Sequence, residues 1–255
     1  MIQRITGNNL KKLEPLFADW EETMIWSTLQ NCMGQAWADS AKSPQSAQIL
    51  NADFCFFGGE PNEELVKNRQ GHDFIIMTPP DDHWAALIEA VYSEKCRKVT
   101  RYAIKKEKNV FDRKKLQSLT ALPGREYSLQ LIDEKAYQEV RKESWSRDFC
   151  SQFRDWGNFQ QRGVGAVARC GKTIVAGASS YIVYKSGIEI EVDTKKEYRQ
   201  KGLATACSAR LILECLDRGL YPSWDAQNTM SVGLAEKLGY HFSHEYIAYE
   251  VYAQE

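Results

Sequence analysis

Residues 188–204 constrain the fold more than any other stretch, because their pattern changes abruptly from that of a strand to that of a helix. Residues 188–193 alternate between apolar and acidic side chains, and a period of two places the two sets on opposite faces of a strand. From Leu203 onward, apolar and charged stripes recur at helical spacing as far as Gly219, which suits a helix C′ position. The stretch therefore predicts a strand, a short polar turn and a long helix.

The turn between these two elements reads Arg199-Gln200-Lys201-Gly202-Leu203-Ala204. The first backbone N–H groups of a helix have no partner within the helix, and the helix dipole adds positive potential at the same end. A glycine at position 202 lets an anion approach the backbone, and Ala204 keeps a neighbouring position small. The turn therefore predicts a phosphate-binding site.

Composition excludes several classes of partner. The chain has 255 residues, of which 26% are charged, and its net charge of −1 favours neither nucleic acid nor an anionic membrane. No apolar run is long enough to span a membrane, and the first thirty residues, with Asp19, Glu21 and Glu22 among them, do not resemble a signal peptide. We therefore expect a cytoplasmic location, with neither nucleic acid nor membrane as a partner.

The cysteines and histidines indicate no metal centre. Seven cysteines without a C-x-x-C pair are an odd number, which is typical of reduced thiols. Cys207 and Cys215 fall on the apolar stripe of the long helix, where a thiol acts as a small apolar side chain. The four histidines form no H-E-x-x-H motif and no Cys/His cluster at ligand spacing. No metal site is expected.

The N-terminal half is less regular than the C-terminal half, and Pro123-Gly124 is the clearest boundary between them. Its expected elements are a short helix capped by Asn9 and reaching Trp20, strands over 23–33 and 47–57, a helix over 61–68, a strand over 73–77, a helix from Asp81 or Asp82, a strand over 99–104 and a helix over 112–122. We expect a smaller α/β domain over residues 1–124, on the acceptor side of the protein. A degenerate relative of the second domain is one interpretation of it.

The C-terminal half, residues 125–255, is more regular. Its expected elements are a strand over 127–132, a helix capped by Asp133, a helix over 149–156, an antiparallel pair over 163–170 and 173–184, the strand and long helix described above, a strand over 221–225, a helix from Asn228 to Gly239 and a strand over 240–252. This order predicts an α+β domain with a mixed, mostly antiparallel sheet flanked by helices.

This order, with a phosphate-binding turn after the fourth strand, resembles the GNAT superfamily of acyl-coenzyme A dependent N-acetyltransferases. Two segments carry the resemblance. Residues 199–204 match the family's Gln/Arg-x-x-Gly-x-Gly/Ala, and Asn228 with the Ala-Glu-Lys-Leu-Gly-Tyr of residues 235–240 matches its Asn…Glu-Lys-Leu-Gly-Phe/Tyr. The likeness covers residues 126–253 and implies the GNAT fold there.

The resemblance implies coenzyme A, as acetyl-CoA, for the cofactor. In the family the fourth strand splays from the fifth, so that backbone groups of Val192 and Thr194 would pair with the pantetheine amides. Asn228 would bond the pantetheine or phosphate arm, serve only as a helix N-cap, or do both. The backbone amides expected to hold the pyrophosphate belong to Arg199, Gln200, Lys201, Gly202, Leu203, Ala204 and Thr205.

The chemistry implied by the family needs a base for the attacking amine and stabilisation of the leaving thiolate. Glu189 and Glu191 are candidate bases on the motif strand; alternatively they bind a cationic acceptor or face solvent. Many members carry a tyrosine as general acid where this chain has Ala235, which cannot donate a proton. Ser231 one turn earlier, Tyr240 or water would have to take that role.

The predicted function is that of an N-acetyltransferase, which moves the acetyl group of acetyl-CoA to a primary amine of a small-molecule or peptide acceptor by direct attack on the thioester. A non-catalytic acyl-CoA-binding sensor or scaffold is the alternative, since the acid of the family is missing. Another class of nucleotide-binding module is disfavoured because neither G-x-x-x-x-G-K-[ST] nor G-x-G-x-x-G occurs. A homodimer remains open.

Overall fold

A computed structural model describes residues 1–252 of the chain. The strands of these residues are β1 (Gln3–Ile5), β2 (Gln35–Ala38), β3 (Ser46–Asn51), β4 (Phe54–Gly59), β5 (Phe74–Thr78), β6 (Cys96–Ile104), β7 (Tyr127–Leu131), β8 (Gly165–Cys170), β9 (Thr173–Tyr184), β10 (Gly187–Thr194), β11 (Tyr221–Ser223), β12 (Asp225–Ala226) and β13 (Phe242–Tyr252). The α-helices are α1 (Thr23–Leu29), α2 (Glu63–Lys67), α3 (Asp82–Tyr92), α4 (Arg113–Leu119), α5 (Glu134–Val140), α6 (Trp156–Arg162), α7 (Leu203–Asp217) and α8 (Thr229–Leu238). None of the helices in this part of the chain is long and apolar enough to cross a membrane.

Contacts group the chain into two compact units, and the change from one to the other falls within β6 and near the start of β13. The first unit contains residues 1–101 and the chain from Glu245 onward, and the second contains residues 102–244. The expected division into domains after residue 124 differs from this grouping of contacts and stays a prediction.

The first unit is built on a sheet with the strand order β1-β2-β3-β4-β5-β13-β6. Its neighbours are antiparallel from β1 to β4 and between β5 and β13, whereas β4 and β5 are parallel. Helices α2 and α3 bury apolar side chains against this sheet, with Trp84 of α3 stacked on Phe57 of β4 at 4.6 Å between ring centroids. This apolar cluster forms the core of the unit.

The second unit contains a sheet of order β11-β10-β9-β8-β7, in which β10 and β11 are parallel and the remaining neighbours antiparallel. The predicted mixed, mostly antiparallel sheet with flanking helices is confirmed. Along α7, the predicted apolar stripe is buried, whereas Arg210 and Arg218 each pair with Glu214, at 3.0 and 3.1 Å. The long helix therefore buries its apolar stripe as the spacing predicts, but the charged stripe at Arg210 and Glu214 is only partly exposed.

Several predicted elements of the N-terminal half are wrong. The strand expected over 23–33 is the helix α1, whose first turn is capped by the Glu22 carboxylate, which accepts from Met24 N at 3.1 Å. The single strand expected over 47–57 is the hairpin β3–β4, which turns at Ala52 with φ of 54°. The segment from Asn9 is a 3-10 helix over Gly7–Phe17 with Pro15 inside, and proline cannot donate a helical hydrogen bond.

Two elements of the C-terminal half also differ. The helix expected over 149–156 begins only at Trp156, because Asp155 caps it by accepting from Asn158 N at 2.8 Å. The strand expected over 221–225 is divided into β11, which pairs with β10, and β12, which pairs with β6. This division affects the site, because it ends the pairing of β10 with β11.

Candidate active site

Strands β10 and β11 form a fork. Their paired residues are Gly187 with Tyr221, Ile188 with Pro222 and Glu189 with Ser223. Beyond that pair β10 continues to Thr194, still paired with β9, whereas the chain after β11 turns to pair with β6. The side of β10 turned away from β9 is therefore not paired with β11 beyond Glu189.

Backbone groups of Val192 and Thr194 point to this open side. Lys195 N donates to Val175 O at 2.9 Å, so Lys195 faces the chain of β9. Alternate residues of a strand direct their backbone groups to opposite sides, which turns Thr194 and Val192 away from β9. Val192 thus directs its N–H and C=O to the fork, whereas those of Thr194, turned to the same side, bond the side chains of Asp193 and Arg199.

Arg199 and Asp193 hold the end of the open edge. The Arg199 guanidinium donates through Nε to Thr194 O at 3.0 Å and lies 3.2 Å from Asp193 Oδ1. The same carboxylate oxygen accepts from Thr194 N at 2.6 Å. The first side chain of the turn therefore ties the turn to the end of β10.

Thr194 also carries a buried hydroxyl. The residue is 7% exposed, and its Oγ1 has no hydrogen-bond partner among residues 1–252. A buried polar atom without a partner is uncommon in folded proteins and requires an explanation, such as a bound ligand or water. The open edge thus ends beside a polar group with unused hydrogen-bonding capacity.

The turn after β10 has the backbone that its sequence predicts. Gly202 adopts φ of 78° at the N-cap position of α7, and an added Cβ would meet no atom within 4 Å. The positive φ, not crowding, therefore favours glycine there. The first helical hydrogen bond runs from Ala206 N to Gly202 O at 3.1 Å, so the N–H groups of residues 203–205 precede it. The N-terminus of a long helix is thus available to an anion.

The other residues of the turn and of the start of α7 differ in backbone conformation and in exposure. Gln200 adopts a positive φ of 62°, and Lys201 places its ammonium 4.8 Å from the ring centroid of Tyr198. Leu203 and Thr205 are buried, with 1% and 8% exposure, whereas Ala204 is half-buried. The structure therefore places the predicted cofactor residues 199–205 at the turn and in the first turn of α7, with the side chains of Arg199, Gln200 and Lys201 exposed.

The acids of β10 face the segment that follows α5. An added Cβ on Gly177 would come within 2.5 Å of the Phe149 ring, and Gly177 is the register partner of Asp193. By strand alternation, Glu191 and Glu189 share that face. Glu189 is buried at 4% exposure, whereas Glu191 is half-buried. The two candidate bases therefore differ in burial but not in direction.

The negative charge of Glu189 acts on two tyrosines, Tyr184 and Tyr221. Tyr184 lies 3.1 Å from Ser223, the register partner of Glu189, through their hydroxyl oxygens. Burial chiefly, and the negative charge of Glu189 in addition, raise the pKa of Tyr184. The same two causes contribute to the raised pKa of Tyr221. These phenols therefore stay protonated at neutral pH and can donate hydrogen bonds.

The start of α8 holds two more predicted residues. Asn228 is its N-cap, with Oδ1 accepting from Ser231 N at 2.9 Å. Ser231 is half-buried, and its hydroxyl accepts from Trp224 Nε1 at 3.0 Å. Ala235, at the position where the family resemblance implies an acid, is fully buried. Sequence reasoning missed Trp224, although its place directly after the strand beside the motif strand was the available signal.

Tyr240 does not suit the role of acid. Its hydroxyl donates to Pro222 O at 2.6 Å and the residue is 2% exposed. Burial raises the pKa of Tyr240 well above the usual range. Its hydrogen is therefore already committed to the backbone. Residues 1–252 also hold no cluster of three or more histidines, cysteines and acids that would bind a metal ion.

A forked mixed sheet beside an open helix N-terminus defines the class of GNAT-type acyltransferases. The chain belongs to the GNAT acetyltransferase family, whose model matches residues 14–249. That match extends well into the N-terminal half, beyond the 126–253 in which the sequence motifs lie. The family generally uses acetyl-CoA as its co-substrate.

Known proteins of similar sequence or structure are also described as N-acetyltransferases or GNAT proteins. An uncharacterized N-acetyltransferase, YdfB, of Bacillus subtilis is 27% identical, with 98% of each chain covered. The crystal structure of a GCN5-related N-acetyltransferase-like protein from Streptococcus suis is 45% identical, with a TM-score of 0.91 over 95% of this chain and 98% of that one. A tandem GNAT protein of the clavulanic acid biosynthesis pathway, 11% identical with a TM-score of 0.59 over 100% and 99% of the two chains, shares the fold.

Proposed function

We propose that this enzyme transfers the acetyl group of acetyl-CoA to a primary amine of a small-molecule or peptide acceptor. The observation that carries the proposal is the open edge of β10, whose Val192 and Thr194 lead from the buried Glu189 to the N-terminus of α7. An extended chain with amides at one end and a pyrophosphate at the other matches this sequence of groups.

The residues present fit coenzyme A. The unpartnered Oγ1 of Thr194 and the backbone of Val192 suit the pantetheine amides, and the N–H groups of Leu203, Ala204 and Thr205 suit the pyrophosphate. Thr194 O, already an acceptor for Arg199, has a second lone pair for a ligand N–H. Asn228 and Lys201 would add side-chain contacts.

We assign the role of base to Glu189. Bound acetyl-CoA supplies an activated carbonyl and a sulfur leaving group. The carboxylate of Glu189 would accept the proton of the attacking amine, because it lies at the point where the two strands separate and is shielded from water. Glu191, half-buried on the same face, would attract the cationic form of the acceptor. Ser231 would lie on the sulfur side of the reaction.

The proposal is tested by titrating the protein with coenzyme A in a calorimeter and by following thiol release from acetyl-CoA over a panel of primary amines. We expect one coenzyme A bound per chain and turnover with at least one amine. Absence of binding would overturn the proposal. Tight binding with no turnover on any amine would favour the acyl-CoA sensor instead.

A further inference from the structure

The hydrogen bond between Trp224 and Ser231 has an unambiguous direction. An indole N–H only donates, so the Ser231 oxygen is the acceptor at 3.0 Å and its own hydrogen is not used in this contact. Among residues 1–252 the Ser231 hydroxyl donates to no acceptor. The hydroxyl is therefore fixed from one side and has a hydrogen to give on the other.

This pair lies on the second side of the fork. Trp224 directly follows Ser223, which is the register partner of Glu189, and Ser231 is in the first turn of α8. Ser231 also lies one helical turn before Ala235, the position at which many relatives carry their acid. The Ser231 hydroxyl is thus close in sequence to the position of the missing acid. It lies on the arm of the fork opposite the β10 edge that is proposed for pantetheine.

We propose that Trp224 is a positioning residue that directs the Ser231 hydroxyl toward the sulfur of the bound thioester, where Ser231 donates a hydrogen bond to the departing thiolate. The inference rests on the proposed acyl transfer from coenzyme A and assigns two residues to its last step. Ser231 is the catalytic residue of the pair, because it contacts the reacting sulfur.

The chemistry requires a hydrogen bond and not a proton transfer. When the new C–N bond forms and the C–S bond breaks, the electron pair of the C–S bond stays on sulfur. A thiol has a pKa of about 8.5, far below the pKa of an aliphatic hydroxyl, so serine keeps its proton. The amine proton goes to Glu189, and solvent later protonates the thiolate. Ser231 stabilises the charge while it develops.

Trp224 has the rigidity that positioning requires. It is 4% exposed and packs against Tyr240 at 5.7 Å between ring centroids. Tyr240 is itself held by its bond to Pro222 O. The indole N–H of this rigid neighbour therefore occupies one lone pair of the Ser231 hydroxyl and limits the positions that the oxygen can take.

The test is an ultraviolet titration of the thiol of bound coenzyme A, which needs no acceptor. A hydrogen bond to the thiolate favours its charged form, so the bound thiol should titrate about one to two pH units lower in the wild type than in Ser231→Ala. Trp224→Phe should lose most of the same shift, and Ser231→Thr, which keeps the hydroxyl, should restore it. The double variant Trp224→Phe/Ser231→Ala should shift no further than Ser231→Ala alone.

Each result decides the inference. Unchanged titration in Ser231→Ala with coenzyme A bound would overturn the donor role while leaving acyl-CoA binding intact. Additive shifts in the double variant would overturn the positioning role. If Trp224→Phe does not fold, the indole N–H resonance of Trp224 in the wild type decides, because it should move with the midpoint of the thiol titration. A wild type that binds no coenzyme A would overturn both proposals.

Discussion

Glu189 lies opposite Ser223 in the last residue pair that β10 and β11 share. Beyond this pair the two chains separate, β10 toward Thr194 and the helix N-terminus, the other toward Trp224 and α8. The buried carboxylate, the open backbone edge and the serine hydroxyl are therefore on three different parts of one fork. The carboxylate and the open edge both belong to β10 and the serine to α8, but different residues supply them, so substitutions can test them one at a time.

Gly202→Ala is expected to weaken coenzyme A binding on the order of tenfold. A left-handed conformation costs an alanine about 1–2 kcal/mol, which the turn can relieve only by moving its N–H groups. Gly171 is the matched control, since it has φ of 57° in the β8–β9 turn and equally open surroundings. Gly171→Ala should lower thermal stability similarly and leave the calorimetric affinity unchanged. Equal affinities in both variants would contradict the role of the turn.

Glu189→Gln should lower kcat about 10²- to 10⁴-fold, which is the usual contribution of a general base. Glu191→Gln is the control, because it lies on the same face of β10 but is half-buried. It should raise KM for the amine and change kcat little. Steady-state kinetics with one active amine measures both. The opposite result, with the large kcat loss at Glu191, would transfer the base to that residue.

The second half of the fold was predictable because its local signals agree with one another. The period of two before Thr194, the glycine at 202 and the cap at Asn228 each specify one element, and the structure contains all three. The pairing that ends at Ser223 was not readable from residues 221–225, because it depends on a partner strand far away in sequence. The family likeness, not the local pattern, pointed to the fork.

The errors in the first half have tertiary causes. Helix α1 is rich in β-branched and aromatic residues, which favour strands, but Glu22 caps it and Asn51 Nδ2 donates to Met24 O at 2.9 Å. The turn between β3 and β4 contains no glycine, and Ala52 adopts the left-handed region instead. Neither the cap's contribution nor the strained alanine has a reliable signature in the local sequence. Trp224 was overlooked for a similar reason, since its role depends on contact with α8.

Asn228→Asp separates the two roles given to that residue. Aspartate keeps the oxygen that accepts from Ser231 N, so the helix cap and the thermal stability should persist. It removes the amide donor and adds a negative charge, so affinity for coenzyme A should fall several-fold if the side chain contacts the cofactor. Asn228→Ala is the comparison, because losing the cap costs about 1 kcal/mol. Unchanged affinity in Asn228→Asp would leave the residue with its capping role alone.

Alkaline pH should destabilise the fold through its buried thiols. Burial raises the pKa of Cys150, Cys207 and Cys215 to about 12, and that of Cys55 also rises. The folded state thus holds these protons more tightly than the unfolded chain, in which a thiol titrates near 8.5. Each buried thiol therefore contributes fully to the free energy of unfolding below about pH 8.5. This contribution is lost as pH rises toward the pKa of the folded state, by up to about 1.4 kcal/mol per thiol for each pH unit. Urea unfolding at intervals across this alkaline range measures the slope. Cys207→Ala should reduce this slope; a slope equal to that of the wild type would contradict this origin.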